Sequence, residues 1–354
     1  MTIGGPCEIP FTQDSRHYHP VPYLPLFILP FKFFSLLNLS LSYVLWTLIN
    51  CIGFILYLRF FTKKVIGFPV TFRLIFIVFL SLPFFLNLYY GQVNIWLAIC
   101  AGEFIRHSLS HNTYLAGLWL GGWILKPQLL ILLLPFLILQ RSIKILMGFS
   151  TSTIGIIFTS LYLTDIEGFL ALKDMLLEYS RGVPTNNIWA MMNWRMLGWH
   201  VAHITSKNTG WVIAIIGSLI TACIPLYFFR KRIKSDSTQM IIILLGLFAA
   251  TNVVAWHAHI HMSIILIPPL LYLNLKNRLN KNLLSAWIFI PVFIDFICYV
   301  LATFIILIFG NLHAGVYLAT DFLLGFSQLI LNLAILGWSI FQFTRPKEKL
   351  SDII

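Results

Sequence analysis

The sequence predicts an all-α polytopic membrane protein of about 11 transmembrane helices, with short recessed helices on its outer face. Three observations lead there. Of 354 residues, 59% are hydrophobic and 10% charged, with a mean hydropathy of +0.86. A soluble chain of this size could not cover its surface from that composition. Apolar runs of roughly membrane-spanning length recur along the whole chain, continuous rather than alternating, which excludes an outer-membrane barrel. Basic loops alternate with non-basic ones throughout, as a positive-inside bias requires. The runs follow one another without a linker, so residues 1–354 read as one polytopic domain.

Residues 1–40 come first. Their start, "MTIGGPCEIPFTQDSRHYHP", has no basic n-region and no apolar h-region, so it is not a signal peptide. Spans are then expected near 41–58, 74–88, 93–105, 113–125, 127–140, 145–163, 211–229, 238–255, 262–275, 284–309 and 320–343. One set of loops holds most of the 24 Lys and Arg residues: Arg59, Lys63, Lys64 and Arg73; Arg106; Arg141 and Lys144; Arg230 to Lys234; Lys276, Arg278 and Lys281; and Arg345, Lys347 and Lys349. Those loops are placed in the cytoplasm, with the C-terminus, and the first 40 residues on the outer face of a cell membrane. The net charge of +12 is then topological and calls for no nucleic-acid partner. An outer segment of that length without an export signal either crosses unaided or follows a helix encoded upstream of Met1.

The outer connections carry the chemistry. "YYGQVN" occupies 89–94. Next, Lys126-Pro127 interrupts the apolar stretch "WLGGWILKPQLLILLLPFLILQ". The runs flanking it would each cover roughly 20 Å, against about 30 Å of hydrocarbon. Lys126 should therefore stop short of the outer surface. Two readings follow: a lysine snorkelling from a tilted helix, or one lining a wet cavity that receives an anion. Pro127 opens the return helix, where its missing N–H costs nothing.

Residues 164–210 form a long outer loop. "DIEGFLALKDMLLEY" has the apolar spacing of a helix lying in the interface. "IWAMMNWRMLGWHVAHI" sets Arg195 among tryptophans, which suits a headgroup-depth anchor or a guanidinium aimed at a phosphate. "WHAHIH" at 256–261 brings His257, His259 and His261 close in sequence; without a nearby carboxylate or cysteine the pattern favours hydrogen bonding over metal binding. The last outer loop, near 310–319, is plain. Cys7, Cys51, Cys100, Cys223 and Cys298 are scattered, with no CxxC pair, and indicate neither a disulfide framework nor a metal site. Asp295 lies mid-span in "PVFIDFIC".

Together these segments resemble glycosyltransferase family 87 of the GT-C superfamily, the polyprenyl-phosphate-sugar-dependent mannosyltransferases and their relatives. The likeness runs through the proline-rich "HPVPYLPLFILPF", the Gly-Gln-x-Asn element at Gly91, Gln92 and Asn94, and the Lys-Pro block "GLWLGGWILKPQLLILLLPFLILQRSIK". It continues through an Asn…Arg element at Asn186 to Arg195 and a Trp-x-His-His element at Trp256 to His259. Ala258 replaces the first histidine of the last element, and His257 or His261 can substitute. The family's general-base aspartate falls upstream of Met1, since "MTIGGPCEIP" resembles the stretch just after it. Asp14 and Glu8 are the nearby outer carboxylates and neither matches its position. The resemblance therefore implies a chain lacking the family's first helix and base, truncated or inactive as written.

The resemblance implies transfer of a hexose, mannose foremost, from a polyprenyl-monophosphate donor to a lipid- or glycan-linked acceptor, with inversion. Lys126 and Arg195 would meet the phosphate charge; His259, Gln92, Asn94, Asn186, His257 and His261 would contact substrate. No cofactor or metal is needed in principle, because one phosphate leaves and side chains can neutralise it. A lipid-linked saccharide polymerase or ligase would use the same face. A secondary transporter would need a path such as Asp295 could mark, though the two halves show no inverted repeat.

Overall fold

The computed structural model describes residues 23–181, 188–230, 237–309 and 314–345. These are helical, apart from an isolated bridge between Met191 and His259. Glu8, Asp14, Asn186 and residues 310–313 of the last outer loop lie outside the described residues.

Two short helices, α1 (Pro25–Ile28) and α2 (Phe31–Phe34), lead into α3 (Leu39–Ile66). Asn38 caps α3, its side chain accepting from the Leu41 amide at 2.9 Å, and Gly67 ends it at φ 102°. Helices α4 (Phe72–Phe79) and α5 (Leu82–Tyr89) follow, bent by 66° at their junction. Pro83 explains the bend: it has no N–H for the preceding turn and its ring crowds that turn, so α4 stops and α5 takes the proline in its first turn.

Helices α6 (Asn94–Leu109) and α7 (Thr113–Leu120) come next, then 3₁₀ turns at Gly121–Leu125 and Pro127–Leu130 on either side of Lys126, and α8 (Leu133–Leu139). Helix α9 (Ile143–Arg181) is broken at Asp165, which sits at φ 57° and ψ −179°. The helix expected in the interface is thus present beyond the break. Added Cβ atoms on Gly117 and Gly148 would strike the facing backbones of Ile145 and Tyr114, so α7 and α9 meet main chain to main chain.

The remainder comprises α10 (Trp194–Ile204), α11 (Lys207–Phe229), α12 (Ser237–Val254), a 3₁₀ segment at Ile260–Leu266, α13 (Ile267–Leu275), α14 (Lys281–Phe309) and α15 (Ala314–Thr344). Helix α12 is the centre of the bundle. Within its apolar window 78% of residues are buried, against 11–22% for α3, α9, α11 and α14, whose free faces suit lipid.

Length does not support the expected count of about 11 crossings. Among the described residues six helices, α3, α9, α11, α12, α14 and α15, are long and apolar enough to cross, or seven if α4 and α5 form one bent span. The runs expected at 93–105, 113–125, 127–140 and 262–275 fold into helices of 16 residues or fewer. The last three are interrupted by 3₁₀ turns. A hydropathy run marks what tolerates an apolar setting; it does not mark a straight helix.

Candidate functional site

The site elements gather at the end of the bundle opposite the basic loops. Four segments meet: the α5–α6 turn, the Lys126 tip, the stretch leading into α10, and the α12–α13 connection.

The α5–α6 turn is made by Gly91 at φ 58°, a left-handed conformation that favours glycine. Trp46 Nε1 donates to the Gly91 carbonyl at 3.0 Å, and the Gln92 amide donates to the Asn87 carbonyl at 2.8 Å. Asn87 is the hub. Its buried side chain donates to the His261 carbonyl at 2.7 Å and accepts from Asn94 Nδ2 at 2.9 Å. One residue thus ties the Gly-Gln-x-Asn element to the histidine segment.

Lys126 sits between its two 3₁₀ turns at φ −134° and ψ 77°. The hairpin is pinned by Trp123, whose Nε1 donates to the Leu97 carbonyl at 3.0 Å and whose ring lies 5.1 Å from Phe248 of α12. Lys126 is only 7% exposed, so its side chain packs within the protein. Its Nζ donates to Gln92 Oε1 at 3.2 Å and lies 5.9 Å from the centre of the Tyr23 ring. No carboxylate pairs with it among the described residues. Burial accordingly pulls its pKa down to about 7.

The histidine segment lies beside Lys126. Gln128 Nε2 donates to the His257 carbonyl at 3.4 Å, joining the segment to the Lys126 hairpin. The His257 and His259 rings are 4.9 Å apart edge to face; those of His259 and His261 are 5.6 Å apart and stacked. Burial holds His257 to about 3 and His259 to about 4, and His261 well below the usual imidazole value. The nearby cations Lys126 and Arg195 add to the effect on His257 and His259. All three rings are therefore neutral. His259 Nδ1 lies 3.4 Å from the Ala190 carbonyl, which can only accept, so the bare nitrogen of its neutral ring is Nε2. Among the described residues no three His, Cys, Asp or Glu side chains are placed to hold a metal ion.

The stretch leading into α10 is stitched onto the same segment. The Met192 amide donates to the Ala258 carbonyl at 3.0 Å, and Asn193 Nδ2 donates to the Ala255 carbonyl at 2.7 Å. The Asn193 carbonyl oxygen also caps α10 by accepting from the Met196 amide at 3.0 Å. Arg195 follows, donating to the Trp256 carbonyl at 3.3 Å with its guanidinium 4.8 Å above the Trp256 ring. Burial lowers its pKa without reaching the neutral range for a guanidinium. Arg195 lines a second cavity, beside the Lys126 cluster, together with Trp211 and Trp256.

The structure therefore brings Lys126, Gln92, Asn94, His257, His259 and His261 together, and sets Arg195 beside the histidine segment. Sequence reasoning missed Asn87 and Asn193. Asn87 could have been found as the lone amide of α5, seven residues before Asn94.

A family model described as glycosyltransferase family 87 matches residues 22–267, well over half of the chain. No curated protein and no solved structure matches it.

Proposed function

Because the chain belongs to glycosyltransferase family 87, a family of membrane glycosyltransferases, we propose that it moves a hexose, mannose foremost, from a polyprenyl-monophosphate donor to a lipid- or glycan-linked acceptor at the outer membrane face, with inversion. The observation that carries this reading is Lys126: a buried ammonium-bearing side chain beside Gln92, with no carboxylate partner among the described residues. Such a group is stabilised by an arriving anion, and a lipid-anchored phosphate reaches this depth with its chain in the bilayer.

In the reaction the acceptor hydroxyl attacks the anomeric carbon from the face opposite the phosphate. The C1–O bond to phosphate breaks, polyprenyl phosphate leaves with the electron pair, and the hydroxyl proton passes to a base. Lys126 meets the charge gained by the leaving phosphate, and Gln92 orients its ammonium. His259, with Nε2 bare, accepts a hydrogen bond from a sugar hydroxyl. The neutral state of the three histidines keeps them from competing with Lys126 for the phosphate. A carboxylate suits the base; Asp14 and Glu8, outside the described residues, are the carboxylates nearest in sequence to the family's base position, though neither matches it.

The test is transfer from a radiolabelled polyprenyl-phosphate mannose by the full chain in liposomes. Lys126→Met should fold, as judged by gel filtration and thermal unfolding, and lose about 2–4 kcal/mol of transition-state stabilisation. Full turnover in a well-folded Lys126→Met protein would remove the basis of the proposal.

A further inference from the structure

The second cavity has its own chemistry. It encloses about 390 Å³ between α10, α11 and Trp256, within the range of small-molecule sites. Its floor is made of small residues. Gly198 of α10 and Gly210 of α11 face each other so closely that a Cβ on either would strike the other's carbonyl oxygen. Contact at that point leaves the larger side chains to rise as walls.

Three of those walls are tryptophans, Trp199, Trp211 and Trp256. Trp211 and Trp256 stack with ring centres 5.5 Å apart and planes at 19°. Arg195 covers the Trp256 ring, while Trp211 remains 46% exposed and offers an open indole surface. Arg195, Lys207 and His203 also line the space, and no carboxylate does. A headgroup-depth anchor needs indoles at the interface, but not an enclosed volume with cations and no counter-charge. A pyranose ring has one apolar C–H face that covers an indole, and hydroxyls at its rim. An anionic substituent on that ring would meet Arg195 and Lys207.

We propose that this cavity is a saccharide subsite distinct from the Lys126 cluster, taking a pyranose that bears a phosphate or carboxylate, and that it holds the acceptor. The acceptor role rests on the sugar-transfer reading above; the saccharide site does not. Trp256 of the cavity leads directly into the histidine segment beside Lys126, so an acceptor held by Trp211 would extend past His257 and His259 to reach the donor.

The test is equilibrium binding of radiolabelled mannose 6-phosphate to the purified full chain in detergent, with competition by methyl mannoside, inorganic phosphate and phosphatidylglycerol vesicles. Binding should be saturable, displaced best by the sugar phosphate, and about tenfold weaker in Trp211→Ala and in Lys207→Gln. Trp211→Phe, which keeps an aromatic face, should fall between, and distinguishes a lost platform from a lost fold. No binding, or equal competition by inorganic phosphate, would overturn the saccharide site. So would displacement by phosphatidylglycerol alone, which would make the cavity a lipid headgroup anchor. Binding lost in Lys126→Met but kept in Trp211→Ala would put the ligand at Lys126 instead and overturn the subsite. Binding without transfer to any acceptor would overturn the acceptor role alone.

Discussion

Lys126 Nζ donates to Gln92 Oε1 at 3.2 Å, joining the tip of one hairpin to the turn that opens α6. An amide in that place orients an ammonium without neutralising it. Gln92→Glu would supply the missing counter-charge. It should leave folding intact and raise the donor KM by about tenfold to a hundredfold, because a carboxylate competes with the phosphate for Lys126. An unchanged donor KM would show that the phosphate binds elsewhere.

The acid–base state of Lys126 makes a second prediction. Burial brings it to about 7 in the empty site, so its charged form is lost as pH rises through that value. A phosphodiester donor keeps its single charge throughout. Apparent donor affinity should therefore decline above about pH 7, by up to about tenfold per pH unit, levelling off only when the pH passes the higher pKa that bound phosphate gives this lysine. His257 at about 3 and His259 at about 4 stay neutral over the same range and add no second limb. Lys126→Arg stays charged, so its donor-binding profile, measured from pH 5.5 to 9, should be flat.

Asn87 and Asn193 are predicted to matter through position. Asn87→Leu would leave the buried His261 carbonyl and the Asn94 amide without their partner; Asn193→Ala would free the Ala255 carbonyl and uncap α10. Each should cost about 1–3 kcal/mol, read as a lower unfolding temperature in detergent. An unchanged unfolding temperature in both would show that these hydrogen bonds do not hold the site together.

Sidedness is open to direct measurement. In a cysteine-free background, cysteine at Ser206, at the site end of α11, should react with an impermeant thiol reagent added to intact cells. Cysteine at Asn112, in the exposed α6–α7 turn at the basic end, should react only after permeabilisation. The reverse pattern would put the site on the cytoplasmic face.

Much of the site was legible because charge and polarity are conspicuous in an apolar chain. Lys126, Gln92, Asn94 and the three histidines stand out by composition alone, and they do converge. Two adjacent short runs pointed to Lys126 as an interior tip, and it is buried within the protein. The span count was not legible: the 66° bend at Pro83 and the 3₁₀ turns beside Lys126 change length and direction without changing hydropathy. Asn87 passed as one polar residue in an apolar helix, because its partners come from Pro83, Asn94 and the distant His261. Arg195 was read as either an anchor or a phosphate ligand, and sequence order could not show that it also lines a cavity with Trp211 and Trp256. The Met192–Ala258 and Asn193–Ala255 contacts that turn it into its own cavity join residues more than sixty positions apart.

The hairpin from Thr113 to Leu139 has a consequence for biogenesis. Neither arm is long enough to be retained by the bilayer as an independent stop, and the loop between them carries an ammonium. Its partners emerge from the ribosome on both sides: α6 before it, and α9, with the Gly148 contact, after it. Integration of this stretch must wait for α9, and lateral release from the insertion machinery must be concerted rather than helix by helix. A bulky residue at Gly117 or Gly148 would then act earliest on quality control, lowering the amount of protein that leaves the translocon before any effect on catalysis could be measured.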